Sequence, residues 1–239
     1  MLFFYVRHGD PIYTPNSLTS LGERQAEALA KRLALYGVDE IYSSTSERAK
    51  LTAKPTCEIL KKDLVELDFA NESHAARDFM FRRHEKENKV WAFHDPEMRL
   101  LFQSHEIRAL GDRWYEHPDL SDYNFQNGME RIYNEADAFF ASLGYEHVRY
   151  TGSYRVIEPS EKRVALFAHQ GFGLLFLSCL LDIPFPQFAT HFDMGHSDMT
   201  VIEFRDEDGI CIPRVCTLSN DSHLYREGLP TKYQNELYF

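Results

Sequence analysis

Positive charge is scarce in this chain: 26 lysines and arginines stand against 37 aspartates and glutamates, a formal net charge of −11. That balance argues against general binding to nucleic acid or to an anionic membrane, since both need cationic surface. Cysteine is scarce as well. Cys57, Cys179, Cys211 and Cys216 form no CxxC pair and no metal-ligand spacing, so neither a disulfide framework nor a zinc site organises the fold. Cys57 and Cys179 fall in apolar helical patterns and read as buried free thiols, while Cys211 and Cys216 flank Pro213 in an expected edge strand. No apolar run approaches membrane-span length, and Met1 to Val6 is too short for a signal-peptide core. A reducing, cytoplasmic location is the default expectation. Internal repeats and low-complexity linkers are missing too, which makes residues 1–239 one expected domain.

What is present is the patterning of an alternating α/β protein. Leu2 to Val6 is an apolar run suited to a strand buried on both faces. Thr19 or Ser20 can cap a following helix, with Glu23 at capping-box spacing from Ser20, and Leu21, Ala28, Leu29, Leu33 and Leu35 form its stripe up to Gly37. A second strand is expected at Ile41 and Tyr42. A helix from Ser46 through Leu60, with Pro55 as a possible bend, and a third strand at Leu64 to Leu67 come next. Ser73 to about Leu120 is rich in Arg, His and Phe and reads as irregular helices, a cap insertion spanning about 73–125. A more regular helix follows near Met129 to Leu143. Val164 to Phe167 reads as a strand, Gly173 to Leu181 as a buried helix, and Met199–Phe204 with Ile210–Val215 as a hairpin turning at Asp208 and Gly209. Strand and helix alternating around a middle insertion imply an α/β sheet with a helical cap.

Three groups of chemically capable residues occupy equivalent places. Arg7 and His8 follow the first strand, Ser43, Ser44 and Arg48 follow the second, and His169 follows the strand at Val164 to Phe167. Groups just past the carboxyl ends of parallel strands converge on one crevice. Helix starts near Ser46 and Gly171 would aim free N–H groups into the same place. Two arginines, two histidines and two helix starts make a site for a phosphate dianion.

At these positions the chain resembles the histidine phosphatase superfamily, the phosphoglycerate-mutase-like enzymes. Arg7-His8-Gly9 matches the signature tripeptide; Leu18-Thr19, Gly22 and Gln25-Ala26 match LTxxGxxQA; Ser43-Ser44, Arg48-Ala49 and Thr52-Ala53 match SSxxxRAxxTA. Ala168-His169 with Gly171 resembles the second histidine motif, Gln170 standing where a glycine is usual. The resemblance implies a phosphoglycerate-mutase-like three-layer sandwich with a mostly parallel central sheet and a helical cap insertion. It also implies a metal-independent phosphomonoester hydrolase, without cofactor, that acts on a small phosphate ester through a phosphohistidine. Its implied site has His8 as nucleophile, Arg7, Arg48, His169 and Gln170 around the phosphate, and Gly9 leaving room for it. Glu72 serves as acid in preference to Glu66, and His169 counts with His8 and Glu72 among the catalytic groups. Thr14 or Asn16 stands in for an asparagine the family usually carries nearby, and Asn16 and His196 are candidate substrate contacts. The competing readings are a phosphoglycerate mutase and a non-catalytic phospho-ligand binding module.

Other features have plainer readings. His74, His84, His94, His105 and His117 are ten or more residues apart and do not pair on a helix face, so no metal site is expected of them. Arg77, Arg82 and Arg83 read as a solvated face, and Phe79, Phe81, Trp91, Phe93 and Phe102 as the core of the cap.

Overall fold

A computed structural model of the chain describes residues 1–83 and 88–231; His84 lies outside them. Strand β1 (Leu2–Arg7) buries both faces, as its apolar run requires. A short hairpin, β2 (Pro11–Ile12) and β3 (Ser17–Leu18), leads into helix α1 (Ser20–Tyr36). Thr19 rather than Ser20 caps this helix, its hydroxyl accepting from the Gly22 N–H, and Gly37 ends it with φ 72°. Strand β4 (Glu40–Ser44) is followed by α2 (Glu47–Leu60), which runs on through Pro55, and by β5 (Leu64–Leu67). Next come α3 (Glu72–Phe79), a hairpin of β6 (Met80–Phe81) and β7 (Val90–Trp91), α4 (Pro96–Phe102) and α5 (His105–Leu110). The segment expected to be purely helical thus contains two paired strands, each too short for a period of two to register.

Helix α6 (Phe125–Ser142) starts earlier than its apolar stripe suggests, and β8 (Tyr145–Val148) and β9 (Ser153–Val156) follow it. Strand β10 (Arg163–Ala168) feeds straight into α7 (Gln170–Leu181), and α8 (Phe185–His191) precedes β11 (Met199–Glu203). The expected terminal hairpin is corrected. Its turn forms at Asp208 and Gly209, but the strand beyond divides at Pro213 into β12 (Ile210–Cys211) and β13 (Arg214–Asn220). β12 pairs with β9, while β13 pairs with β11. Proline, lacking an N–H, cannot carry one ladder through both. Helix α9 (Ser222–Arg226) closes the described chain.

The main sheet has the order β13-β11-β1-β10-β4-β5, with β1, β10, β4 and β5 parallel and β11 antiparallel to β1. Register matters here. Arg7 lies opposite Ala168, Phe167 opposite Ser43, and Ser44 opposite Leu67, so the parallel strands end level with one another. Phe4 and Val6 point to the face covered by Leu29 and Leu33 of α1 and Ala53 of α2. Phe3 and Tyr5 point to the opposite face, among Phe139 and Phe140 of α6 and Phe172 and Phe176 of α7. Each such ring is fully buried, worth roughly 1.5–3 kcal/mol of apolar transfer. Phe79, Phe93 and Phe102 are buried as expected, whereas Trp91 is half-buried. All four cysteines are free; Cys57 is half-buried rather than buried, and Cys216 is exposed. Among the described residues no helix is long and apolar enough to cross a membrane.

One charged cluster is buried far from the strand ends. His147 on β8 donates to Asp137 of α6 at 2.7 Å and to Asp182 at 3.1 Å, while its ring stacks on Tyr154. Asp182, the left-handed cap of α7, also accepts from Thr151 N, Gly152 N and Tyr133 Oη. Burial disfavours the His147 cation, but the two carboxylates outweigh that and raise its pKa to about 9.

Candidate active site

The site begins where β1 ends. His8 is buried, and its Nδ1–H donates to the Gly9 carbonyl at 2.8 Å. An imidazole that donates from Nδ1 keeps its lone pair on Nε2, so the ring is set up as a nucleophile through that atom. Three motif residues hold this loop. Thr52 accepts from Gly9 N at 3.0 Å, Gln25 accepts from Asp10 N at 2.8 Å, and Thr19 donates to the Asp10 carboxylate at 2.7 Å. Gly9 is required by its packing as well. A Cβ there would come within 2.8 Å of Gly22 O, and a Cβ on Gly22 would meet Asp10 O at 2.3 Å. The two glycines let the His8–Asp10 loop lie directly on the first turn of α1.

Arg7 points to the neighbouring loop, donating to Met194 O and to His196 Nε2 at 2.8 Å. His196 reaches back with Nδ1 to 3.5 Å from Asp10, and its ring centroid lies 5.6 Å from that of His8. Arg48 enters from the first turn of α2. Its guanidinium donates to Asn16 Oδ1 at 3.3 Å, Ser46 Oγ at 3.1 Å, Glu72 Oε2 at 3.0 Å and His169 Nδ1 at 3.0 Å. Asn16 also donates to Ser46 Oγ at 3.0 Å, tying the β2–β3 hairpin to the start of α2. Tyr13 of that hairpin lies 5.5 Å from the Arg48 guanidinium carbon, ring towards charge.

His169 is fully buried, its centroid 5.2 Å from that of His8. Tyr5 Oη pins its backbone, donating to His169 O at 2.6 Å and accepting from His169 N at 3.2 Å. Because Arg48 can only donate, Nδ1 of His169 accepts, and Nε2–H therefore donates to Ser44 Oγ at 2.8 Å. Burial, followed by the mutual histidine and arginine charges, pushes the His8 pKa well below its ordinary value. Burial and then Arg48 and Arg7 do the same to His169. Both rings are neutral at neutral pH.

Glu72 is the first residue of α3, whose start is capped by Asn71 and tied by the Asn71 amide to Thr45 at 2.8 Å. Its Oε1 accepts from Gly171 N at 2.9 Å, and its Oε2 lies 3.7 Å from His169 Nδ1. Glu66, by contrast, sits on β5 3.5 Å from Lys50. Gln170 turns its amide to Asp193. The chain thus brings His8, Arg7, Arg48, Glu72, His169, Asn16 and His196 together, with Gln170 engaged at the rim. His8, Glu72 and His169 each offer a donor atom within 4.8 Å of the others, the spacing of a three-ligand metal site. Arg7 and Arg48 beside them favour an oxyanion over a cation in that space.

Other predicted groups lie elsewhere. Arg83 pairs with Asp95 and Glu97, Arg77 with Asp78, and His74 with Asp68. Sequence reasoning missed the contact of Ser44 with His169, the scaffold role of Gln25 and Thr52, Asp193 beside Gln170, and Trp91. The Trp91 ring comes within 2.5 Å of where a Cβ on Gly171 would stand. Only the motif positions of Ser44, Gln25 and Thr52 carried a signal; Trp91 and Asp193 are placed by tertiary packing alone.

No curated protein matches the chain by sequence. The histidine phosphatase superfamily (branch 1) matches residues 4–118. Among solved structures, a mutant phosphoserine phosphatase from Entamoeba histolytica in complex with phosphoserine superposes with TM-score 0.59 at 15% identity, covering 93% of this chain and 98% of that one. A mycobacterial glucosyl-3-phosphoglycerate phosphatase gives 0.58 at 16% identity, covering 91% and 98%. The α-ribazole phosphatase from Shigella flexneri gives 0.58 at 17% identity, covering 92% and 97%. The fold is therefore that of these enzymes: a phosphoglycerate-mutase-like α/β sandwich with a mostly parallel central sheet.

Proposed function

We propose that this chain, a member of the histidine phosphatase superfamily through its residues 4–118, is a phosphomonoester hydrolase that passes the phosphoryl group of a small ester to His8 and then to water. The observation that carries this reading is the pairing of a neutral His8, its lone pair on Nε2, with Arg7 and His169 at the level ends of β1 and β10 and with Arg48 on the first turn of α2. Arg7 and Arg48 would take the phosphoryl oxygens as charge-assisted donors, and a neutral nucleophile keeps its lone pair for phosphorus. Glu72 would protonate the leaving alkoxide and then accept the proton of the attacking water. Positioning and charge stabilisation suffice for this chemistry, so turnover needs no metal. His169 would aim the Arg48 guanidinium at the phosphoryl group, its Nδ1 accepting from Arg48 Nη2, and would itself contact an oxyanion only with a proton on Nδ1. Asn16 and His196 act through the arginines they touch, and Gln170, its amide held by Asp193, would stand beside the phosphate. Residues 1–239 act as one domain, with the segment around 73–125 covering the site. Four free thiols suit a reducing compartment, the cytoplasm.

The test is hydrolysis of an aryl phosphate in excess chelator, with the labelled enzyme trapped by rapid quench. Wild type should turn over and yield an acid-labile phosphoenzyme; His8→Ala should yield neither. Activity that disappears with the chelator, or label that persists in His8→Ala, would sink the proposal.

A further inference from the structure

This inference rests on the hydrolase reading and concerns what directs Arg7. Just before β11 the chain makes a turn at Gly195-His196-Ser197-Asp198. The Asp198 N–H donates to Gly195 O at 3.2 Å and closes it, and Ser197 takes a left-handed φ of 66° as its third residue. That conformation at that place usually calls for glycine. Serine is held there from outside: its N–H donates to His8 O at 3.0 Å, and its hydroxyl lies 2.9 Å from His223 Nε2.

Arg7 meets its acceptors between Met194 and Asp198. Its N–H donates to Asp198 O at 3.1 Å, and its guanidinium donates to Met194 O and to His196 Nε2. Met194 O and Gly195 N belong to one planar peptide unit, so fixing the N–H fixes the direction of the carbonyl. Asp198 does the fixing. Its Oδ2 accepts from Gly195 N at 2.9 Å, and Ser219 Oγ, which accepts from the same N–H at 3.1 Å, donates to Oδ2 at 2.5 Å. A Cβ on Gly195 would stand 2.5 Å from that oxygen, so the contact requires glycine.

Asp198 is buried, and burial pushes its carboxyl up to about 6 in spite of the hydrogen bonds at Oδ2. Its other oxygen, Oδ1, is buried with no partner among the described residues, a cost that native buried polar groups seldom carry. Stability alone gives no reason to keep a carboxylate so placed. We propose that Asp198 is the positioning residue of the phosphate grip: through the peptide unit joining Met194 to Gly195, its carboxylate directs the Arg7 guanidinium at the phosphoryl oxygens. The relay runs from carboxylate to N–H, carbonyl and guanidinium, each group polarising the next. No group in it changes its protonation.

Tungstate, a dianion like the phosphoryl group, is the probe, titrated calorimetrically into the whole protein at about pH 8, where Asp198 stays ionised. Asp198→Ala should weaken binding about tenfold, the worth of one hydrogen bond misdirected, and lower kcat/KM for an aryl phosphate with it. Asp198→Asn keeps an acceptor for Gly195 N and should return to within about threefold of wild type. In an Arg7→Gln background, Asp198→Ala should cost nothing further, because it acts only through that arginine. His147→Phe, which weakens the fold far from the site, should leave tungstate affinity alone. Wild-type affinity in a folded Asp198→Ala overturns the inference, as does a folded Asp198→Asn that binds no better than Asp198→Ala. A comparable loss in His147→Phe, or a roughly tenfold loss that recurs in the Arg7→Gln background, overturns it too. Should Asp198→Ala fail to fold, Ser219→Ala removes the second hold on the same N–H and should weaken tungstate about threefold; unchanged affinity there overturns the inference. Aryl phosphate turnover by wild type separates the two claims. Turnover with affinities that ignore Asp198 removes the positioning role alone; the expected affinities without turnover remove the hydrolase reading alone.

Discussion

Replacing His147 with phenylalanine should destabilise the protein by an amount that depends on pH. The imidazole is held between Asp137 and Asp182 and its side chain is 1% exposed. Its pKa in the folded chain is about 9, above the ordinary 6.5. The stabilising charge is therefore fully in place below about pH 6.5 and is lost as pH rises through about 9. The gap corresponds to about 3 kcal/mol at full burial; with Asp137 partly open to solvent, about 2–3 kcal/mol is the working figure. Phenylalanine keeps the stacking on Tyr154, 4.4 Å between centroids, but removes the charge together with the ring's hydrogen bonds to Asp137 and Asp182. The charge is therefore read from the difference between the two pH values and not from either loss alone. Urea unfolding of both proteins at about pH 6 and 9.5 measures the difference. With a slope of about 2–3 kcal/mol per molar urea, the variant's loss of midpoint should be larger at the lower pH by about 1 M. An equal loss at both pH values would show that the histidine is not held as a cation, and the reasoning would fail.

Gly9→Ala should lower kcat/KM for an aryl phosphate by about a hundredfold, because the new Cβ must push the nucleophile loop off Gly22. Steady-state kinetics beside a thermal melt would check it, and unchanged kinetics would show that the loop has slack. Ser44→Ala leaves the buried Nε2–H of His169 without an acceptor, at a cost of about 1–3 kcal/mol. It should reduce kcat about tenfold or more; wild-type kcat would mean that the hydroxyl does not orient the ring.

The sheet was legible because β1 and β10 are apolar runs with few other ways to be buried, and because β4 and β5, though short and mixed in composition, are each followed by a helix start. The convergence of Arg7, His8, Arg48 and His169 was expected from their places just past the carboxyl ends of parallel strands. What escaped has a common cause. Ser44, Asp193 and Trp91 gain their importance from neighbours 125, 23 and 80 residues away, and no local pattern reports such distances. The packing requirement at Gly9 escaped in the same way, since a backbone contact with Gly22 leaves no trace in side-chain chemistry. At the carboxyl end the reverse occurred: Asp208-Gly209 announced the turn correctly, and Pro213 then redirected the strand to a different partner.

Four of the five groups proposed to react, Arg7, His8, Arg48 and His169, are carried by β1, β10 and the start of α2 or directly follow them. Glu72 alone rides on α3, beyond β5. On the proposed mechanism, grip and proton delivery are consequently anchored to separate parts of the body, and one can be re-aimed while the other stays put. Substitutions in the stretch that follows α3 have licence to suit a new alcohol, because the hand that holds phosphorus is built elsewhere.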